Sequence, residues 1–431
     1  MELALLGFAI LLFLAFIGVP LAFATLAVGF FGLMYLRGFD AALSVSSQWI
    51  VDTSINYHLS IIPLFVLMGA FIHRSGISKD LFDASYAWFG RFRGGLALSG
   101  ILSCAGFAAV CGSSLATAAT MTRVAVPPMR AFKYNDGFSA GTIAAGGTLG
   151  IMIPPSVPLA IYGIVAGQDI GLLFIAGILP GILLICLFML AAYIVTAIRP
   201  DFGPAGKAMG LRETLRASTA TWPVIILFGI VLGGIYTGIF TPTEAAGVGC
   251  AGAFLFGLAR GHFMDRQSLW AVFSETVTTT AMIFAIVFSA LVLAQFVNLT
   301  GMPYDLQALI LGWELGPIGL VLMICGICVL LGMVFESIGI LLLIIPVFLP
   351  SLDALGVDLI WFGILVIIVI ELGLISPPIG MNVFTVKSVA PEIPLGSIFL
   401  GVSPYIVAMV IGGVLIILFP QIATLLPQAM R

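Results

Sequence analysis

Leu149-Gly150-Ile151-Met152-Ile153-Pro154-Pro155-Ser156 is a proline pair set in very apolar sequence, and it returns as Leu372-Gly373-Leu374-Ile375-Ser376-Pro377-Pro378-Ile379. The two pairs lie 377 − 154 = 223 residues apart. The same spacing, without a gap, pairs Ser114 with Ser337, Pro127 with Pro350, Ile170 with Ile393, Leu172 with Leu395 and Ile175 with Ile398. In each pair the second proline pushes the residue before it out of the helical region. Each pair also removes two N–H donors and frees carbonyls upstream. Two hydrophobic helices broken at corresponding points of two halves point to the mid-membrane site of a secondary transporter.

Composition sets the solvent. Of 431 residues, 61% are hydrophobic and 8% charged, against about 25% charged in a soluble domain. So apolar a chain cannot hide its surface in one aqueous core, and it reads as a polytopic membrane protein. The net charge of −3 gives no reason to expect a nucleic-acid partner. The first apolar run starts at Leu3 without a basic leader or a small-residue cleavage site, so it is expected to be a retained helix. All six cysteines lie in apolar stretches and read as packed small hydrophobes, including Cys325 and Cys328 with their redox-like spacing.

Basic residues mark cytoplasmic loops. Arg74, Lys79, Arg91 and Arg93 crowd one loop, and Arg123, Arg130 and Lys133 the next. Arg199, Lys207, Arg212 and Arg216 form a third, and Arg260 and Arg266 a fourth. Stretches 298–316 and 351–359 hold Asp305, Glu314, Asp353 and Asp358 with no Lys or Arg, and are expected outside. Segment 71–81 resembles 296–306, yet only the first is basic, so equivalent loops lie on opposite faces. That is an inverted-topology repeat.

Segment 94–122 must start and finish inside, and its length of about 30 residues is too short for two spans. It is expected to be a re-entrant hairpin turning near Cys111-Gly112-Ser113-Ser114, with its counterpart over 317–350 turning near Phe335-Glu336-Ser337. The expected fold is an all-α integral membrane protein, an inverted-topology repeat with two re-entrant hairpins and two broken helices. Residues 1–72 are assigned to scaffold helices and an interfacial segment. Repeat 1 spans 73–200, with an inner hairpin at 94–127 and a broken helix at 138–167. Inter-repeat scaffold helices occupy 201–277. Repeat 2 spans 278–431, with an outer hairpin at 316–350 and a broken helix at 359–388. Segment 4–36 is read as the first span, entering from inside, with Gly18-Val19-Pro20 a point where it kinks or splits.

Non-helical backbone at membrane depth is tolerated where protein buries it or it lines a cavity. Freed carbonyls and Ser hydroxyls are hard ligands that suit Na⁺, and half-helix N-termini suit a carboxylate. Glu336, in the second turn and with no Lys or Arg nearby in sequence, is a candidate for holding a cation. For Glu371, deep in the second broken helix, a cation-site role and a protonated structural role both stay open. For Asn382 and Thr385, which follow the second break, contact with a substrate and a solvated or structural role both stay open. Glu244 reads as part of a cap with Thr241 or Thr243, and Lys387 as an interface anchor. Other motifs lead nowhere. Gly247-Val248-Gly249-Cys250-Ala251-Gly252 matches a dinucleotide fingerprint without the required strand, there is no Walker A sequence, and His58, His73 and His262 are scattered.

The runs Cys111-Gly112-Ser113-Ser114-Leu115-Ala116-Thr117, Gly147 to Ser156, Thr241-Pro242-Thr243-Glu244-Ala245 and Glu371 to Asn382 resemble the large membrane subunit of TRAP transporters (tripartite ATP-independent periplasmic transporters, DctM type). The resemblance covers essentially the whole chain. It implies a bacterial inner-membrane, multi-pass, elevator-type ion transporter and not an enzyme. Its task would be Na⁺-driven uptake of an organic acid such as a dicarboxylate. A periplasmic substrate-binding protein would deliver the acid, and a separate small four-helix membrane subunit would pack on this one. On this chain one Na⁺ would sit at Gly112, Ser113 and Ser114 with Pro154 and Pro155. A second would sit at Glu336 and Ser337 with Ser376, Pro377 and Gly380. Substrate would lie between the tips, near Ser113, Ser156 and Asn382. The alternative is a stand-alone Na⁺-coupled di- or tricarboxylate symporter. A channel would show repeated filter residues, and a membrane enzyme a catalytic constellation.

Overall fold

The computed structural model describes residues 1–430, and they are helical with no strand among them. Its two halves repeat one plan. The first hairpin is Gly95–Cys111 and Ser114–Ala131, followed by a helix broken into Asp136–Met152 and Val157–Ala166, then by Ile170–Ile198. The second hairpin is Pro317–Gly332 and Ser337–Ala354, followed by Leu359–Ile375 and Met381–Val389, then by Leu395–Leu418.

Local chemistry repeats with the elements. Asn135 and Asp358, 223 residues apart, each cap a broken helix: Asn135 accepts from the Phe138 N–H (2.9 Å), and Asp358 from Ile360 (2.8 Å) and Trp361 (3.0 Å). Lys133 and Gly356, again 223 apart, both take the left-handed conformation after their hairpins. Both Pro–Pro bonds are cis. The correspondence reaches upstream, where Ile61–Arg74 meets Ile77–Phe89, and Arg266–Leu299 meets Met302–Gly312, through left-handed Gly76 and Gly301.

The halves run in opposite directions. Gly137 packs on Ser397, and Gly141 on Gly401, so Leu395–Leu418 runs parallel to Asp136–Met152, whereas the second broken helix does not. Further along, the Asn382 amide donates to the Ala144 carbonyl (3.3 Å), and the Tyr162 hydroxyl donates to the Leu359 carbonyl. Residue numbers rise along one broken helix as they fall along the other, so the two lie antiparallel. Ion pairs then knit together the loops expected inside: Arg74 with Glu275, Arg260 with Asp80, and Arg130 with Asp136 and Glu392.

The N-terminal segment splits at Gly18-Val19-Pro20, the point marked in the sequence, but its first half starts on the unexpected side. Residues 4–36 are not one crossing. Helix Glu2–Phe16 ends at Gly18, and Leu21–Arg37 folds back beside it. The returning helix runs parallel to Arg266–Leu299: Thr25 bonds Ser289 (2.7 Å), Gly29 lies on the Leu293 backbone, and Gly32 lies on the Phe296 ring. Gly7 meets the same Phe296, and the Met1 amino group pairs with Asp305 at 3.1 Å. The chain therefore starts on the face that carries loop 298–316, opposite to the side expected for it. Small residues that let helices touch decide this, not hydropathy.

Candidate functional site

The first hairpin turns where Gly112 takes φ +65° and ends the descending helix. Ser113 is extended and caps the returning helix, its hydroxyl accepting from the Ala116 N–H (3.4 Å). A Cβ on Gly112 would stand 2.9 Å from the Pro155 carbonyl oxygen, so the tip rests on the first break. A Cβ on Gly150 would stand 2.5 Å from the Ser113 carbonyl oxygen and 2.8 Å from Thr117 Oγ1. Only glycine admits that approach. Gly112, Ser113, Ser114 and Pro155 are thus brought together. Pro154 faces the other way, onto Gly177.

The second tip repeats the backbone and changes the side chains. Gly332 packs on Gly373 and the Ile370 carbonyl, and the Gly380 N–H reaches the Met333 carbonyl at 3.4 Å. Glu336 precedes the returning helix without capping it. The Ser337 hydroxyl donates to Glu371 Oε1 (3.4 Å). Ser376 gives its hydroxyl to the Leu372 carbonyl (2.7 Å). Pro377 is exposed, whereas Pro154 and Pro155 are buried.

A cavity of about 630 Å³ joins the tips. Gly112, Ser113 and Ser114 form one wall, and Glu336 and Ser337 another. It extends to His73, Arg74, Arg123 and Glu275, on the side of the basic loops. His73 shares a hydrogen bond with Thr120 (2.7 Å), and Arg74 pairs with Glu275 (3.1 Å). Arg123 has no ion pair among the described residues.

Of the three residues expected near substrate, Ser113 alone lines the cavity. Ser156 is fully buried, and its hydroxyl accepts from the Leu159 N–H (3.3 Å). Asn382 is also buried, with Ser114 Oγ on its oxygen (3.2 Å) and its amide on Ala144. It ties the first tip to the second broken helix. The sequence alone marks Arg123 as a loop charge. It lies on the hairpin's returning helix, nine residues or about 14 Å beyond Ser114. That spacing was visible, but not the inward direction of its side chain. Thr241 and Glu244 form the expected cap, each accepting from the other's N–H.

Broken helices in oppositely directed halves, with hairpin tips meeting across one cavity, define an inverted-repeat membrane transporter. A family model described as "Tripartite ATP-independent periplasmic transporter, DctM component" matches residues 8–422, and the chain belongs to that family. It is 34% identical over 378 residues to the C4-dicarboxylate TRAP transporter large permease protein DctM of Pseudomonas aeruginosa, covering 88% of each chain. It is 32% identical over 415 residues to the sialic acid TRAP transporter large permease protein SiaM of Vibrio cholerae, covering 96% of each. Among solved structures, the YdaH transporter of Alcanivorax borkumensis, described as having an unusual topology, shares the fold. The TM-score is 0.59 at 14% identity, over 91% of this chain and 88% of that one. The protein is accordingly a multi-pass permease of the inner membrane and not an enzyme.

Proposed function

We propose that this chain is the channel-less, moving core of a Na⁺-driven uptake system for an organic acid. A periplasmic binding protein hands the acid over, and a small four-helix membrane subunit braces this one. The two relatives named above are designated for acids, a C4-dicarboxylate and sialic acid, which supports that substrate class. The cavity that joins the two tips carries the proposal. It is large enough for such a molecule, its far walls are unwound backbone, and its mouth holds Arg74 and Arg123.

The residues fit sodium as a coupling ion. Gly112, Ser113 and Ser114, with the Pro155 carbonyl and the adjoining Pro154 backbone, offer neutral oxygens at the first tip. Glu336 and Ser337, with Ser376, Pro377 and Gly380, offer a charged set at the second. Ser113 reaches substrate directly, while Ser156 and Asn382 hold the backbone around it. The hairpins and broken helices of 73–200 and 278–431 move as an elevator against a scaffold drawn from 1–72 and 201–277. No step burns ATP, so the Na⁺ gradient supplies the work.

Reconstitution tests this. Proteoliposomes holding this chain, its small subunit and its binding protein should accumulate the acid under an inward Na⁺ gradient and stop when the gradient is collapsed. Uptake indifferent to Na⁺ overturns the coupling. Uptake by this chain alone establishes the stand-alone symporter instead.

A further inference from the structure

Glu371 lies inside the second half at 1% exposure. Its Oε1 accepts from the Ser337 hydroxyl at 3.4 Å, and its Oε2 has no hydrogen-bond partner in the protein. No Lys, Arg or His among the described residues pairs with Glu371 or Glu336. A buried carboxylate without a counter-charge is costly. A protonated one carries an O–H that needs an acceptor of its own. Oε2 has neither.

The repeat supplies an independent control. The counterpart of Glu371 is Thr148 (371 − 223), equally buried, whose hydroxyl is satisfied by the Ala145 carbonyl of its own helix at 2.6 Å. The fold therefore does not need a carboxyl at this place. Ser337 lines the cavity and bonds Glu371, so it connects the carboxyl to the space an ion would arrive through. Glu336 adds a second carboxyl one residue away, at the cavity wall.

We propose that Glu371 is a direct ligand of a monovalent cation at the second tip, with Ser337 shared between Glu371 and the ion. This deepens the sodium-coupled function above and rests on it. The ion completes Oε2 and neutralises a charge that the protein leaves bare. The second tip then binds through formal charge, and the first tip through dipoles alone.

The test is Na⁺ binding to the purified protein, read as radioactive-sodium binding and as Na⁺-dependent thermal stabilisation. Glu371→Gln should raise the half-saturating Na⁺ concentration about tenfold or more. Ser113→Ala should weaken a separate component. Wild-type Na⁺ dependence in Glu371→Gln overturns the assignment and leaves a neutral structural carboxyl. Wild-type protein that Na⁺ neither binds nor stabilises defeats the coupling function itself, a different outcome. Should Glu371→Gln not fold, infrared difference spectra of wild-type and Glu371→Asp protein decide, with Na⁺ replacing choline. A carboxylate band that Na⁺ perturbs in the wild type and that shifts in Glu371→Asp supports the assignment. A protonated-carboxyl band that Na⁺ leaves unchanged overturns it.

Discussion

The two hairpin tips share a backbone and differ in chemistry. At the first, Gly112, Ser113 and Ser114 bring no formal charge, and Pro154 and Pro155 of the break are buried. At the second, Ser113 is replaced by Glu336 and Thr148 by Glu371, and Pro377 and Pro378 of the break are exposed. The repeat thus keeps what the chain must do locally, which is to unwind at the two breaks, and lets the side chains at the tips differ. A site of neutral dipoles is cheap to leave empty. A site with buried carboxylates is costly to leave empty. Under the proposed sodium coupling, the first half would release its ion readily, and the second would stay loaded until ion and substrate leave together.

The largest effects are expected from the backbone that the two tips share. Gly150 and Gly373 are equivalent, and a Cβ would stand 2.5 Å from the Ser113 carbonyl oxygen at one and 2.6 Å from the Gly332 Cα at the other. Gly150→Ala and Gly373→Ala should each cut initial uptake about a hundredfold, because a tip displaced by an ångström loses its geometry. Normal uptake in one of the two would show that its tip is not held as its twin is. Side-chain changes should then separate the halves. Glu336→Ala is expected to abolish Na⁺-coupled uptake with membrane insertion intact. Ser113→Ala removes one neutral hydroxyl of about 1 kcal/mol, a fall of roughly fivefold to tenfold. Equal losses would erase the distinction between a charged and a dipolar tip.

How legible this was depended on the range of the interaction. Pro154, Pro377 and Gly112 act on their own neighbours, so both breaks and the first turn could be placed within a residue or two. That the basic loops share one face was legible from Arg74, Arg130 and Arg260, whose ion pairs join those loops to one another. The fold-back of residues 2–37 was not. Gly18 and Pro20 announce a turn, but the returning helix is directed by Gly29 and Gly32 against a helix some 260 residues away (289 − 25 = 264). Asn382 is another such case. Its position after the second break suggested a substrate ligand, yet Ser114 and Ala144, remote in sequence, enclose it.

That enclosure yields a smaller prediction. Ser114 and Asn382 join the first tip to the second broken helix through one buried hydrogen bond of 3.2 Å. Ser114→Ala and Asn382→Ala should each lower thermal stability, with the double variant less destabilised than the sum, a coupling of about 0.5–3 kcal/mol. Strict additivity in the cycle would mean that the first tip and the second broken helix are not mechanically linked at this point.

The smallest effects are expected at the far ends of the same helices, away from both tips. Asn135 and Asp358 occupy equivalent caps, so replacement of either by Ala should destabilise by about 1 kcal/mol. The two should still be unequal. Asp358 satisfies two N–H groups where Asn135 satisfies one, and a carboxylate at a helix N-terminus gains a few tenths of a kcal/mol from the helix dipole. Asp358→Ala should therefore be the costlier change, and Asp358→Asn should recover most of the loss. High salt should narrow the gap between Asp358 and its Asn variant, because exposed charge is screened and hydrogen-bond geometry is not. If melting curves instead show Asn135→Ala as the worse variant, the first broken helix depends more on its cap. Its glycine-rich sequence, with Gly141, Gly146, Gly147 and Gly150 inside one helix, gives a physical reason that this could happen.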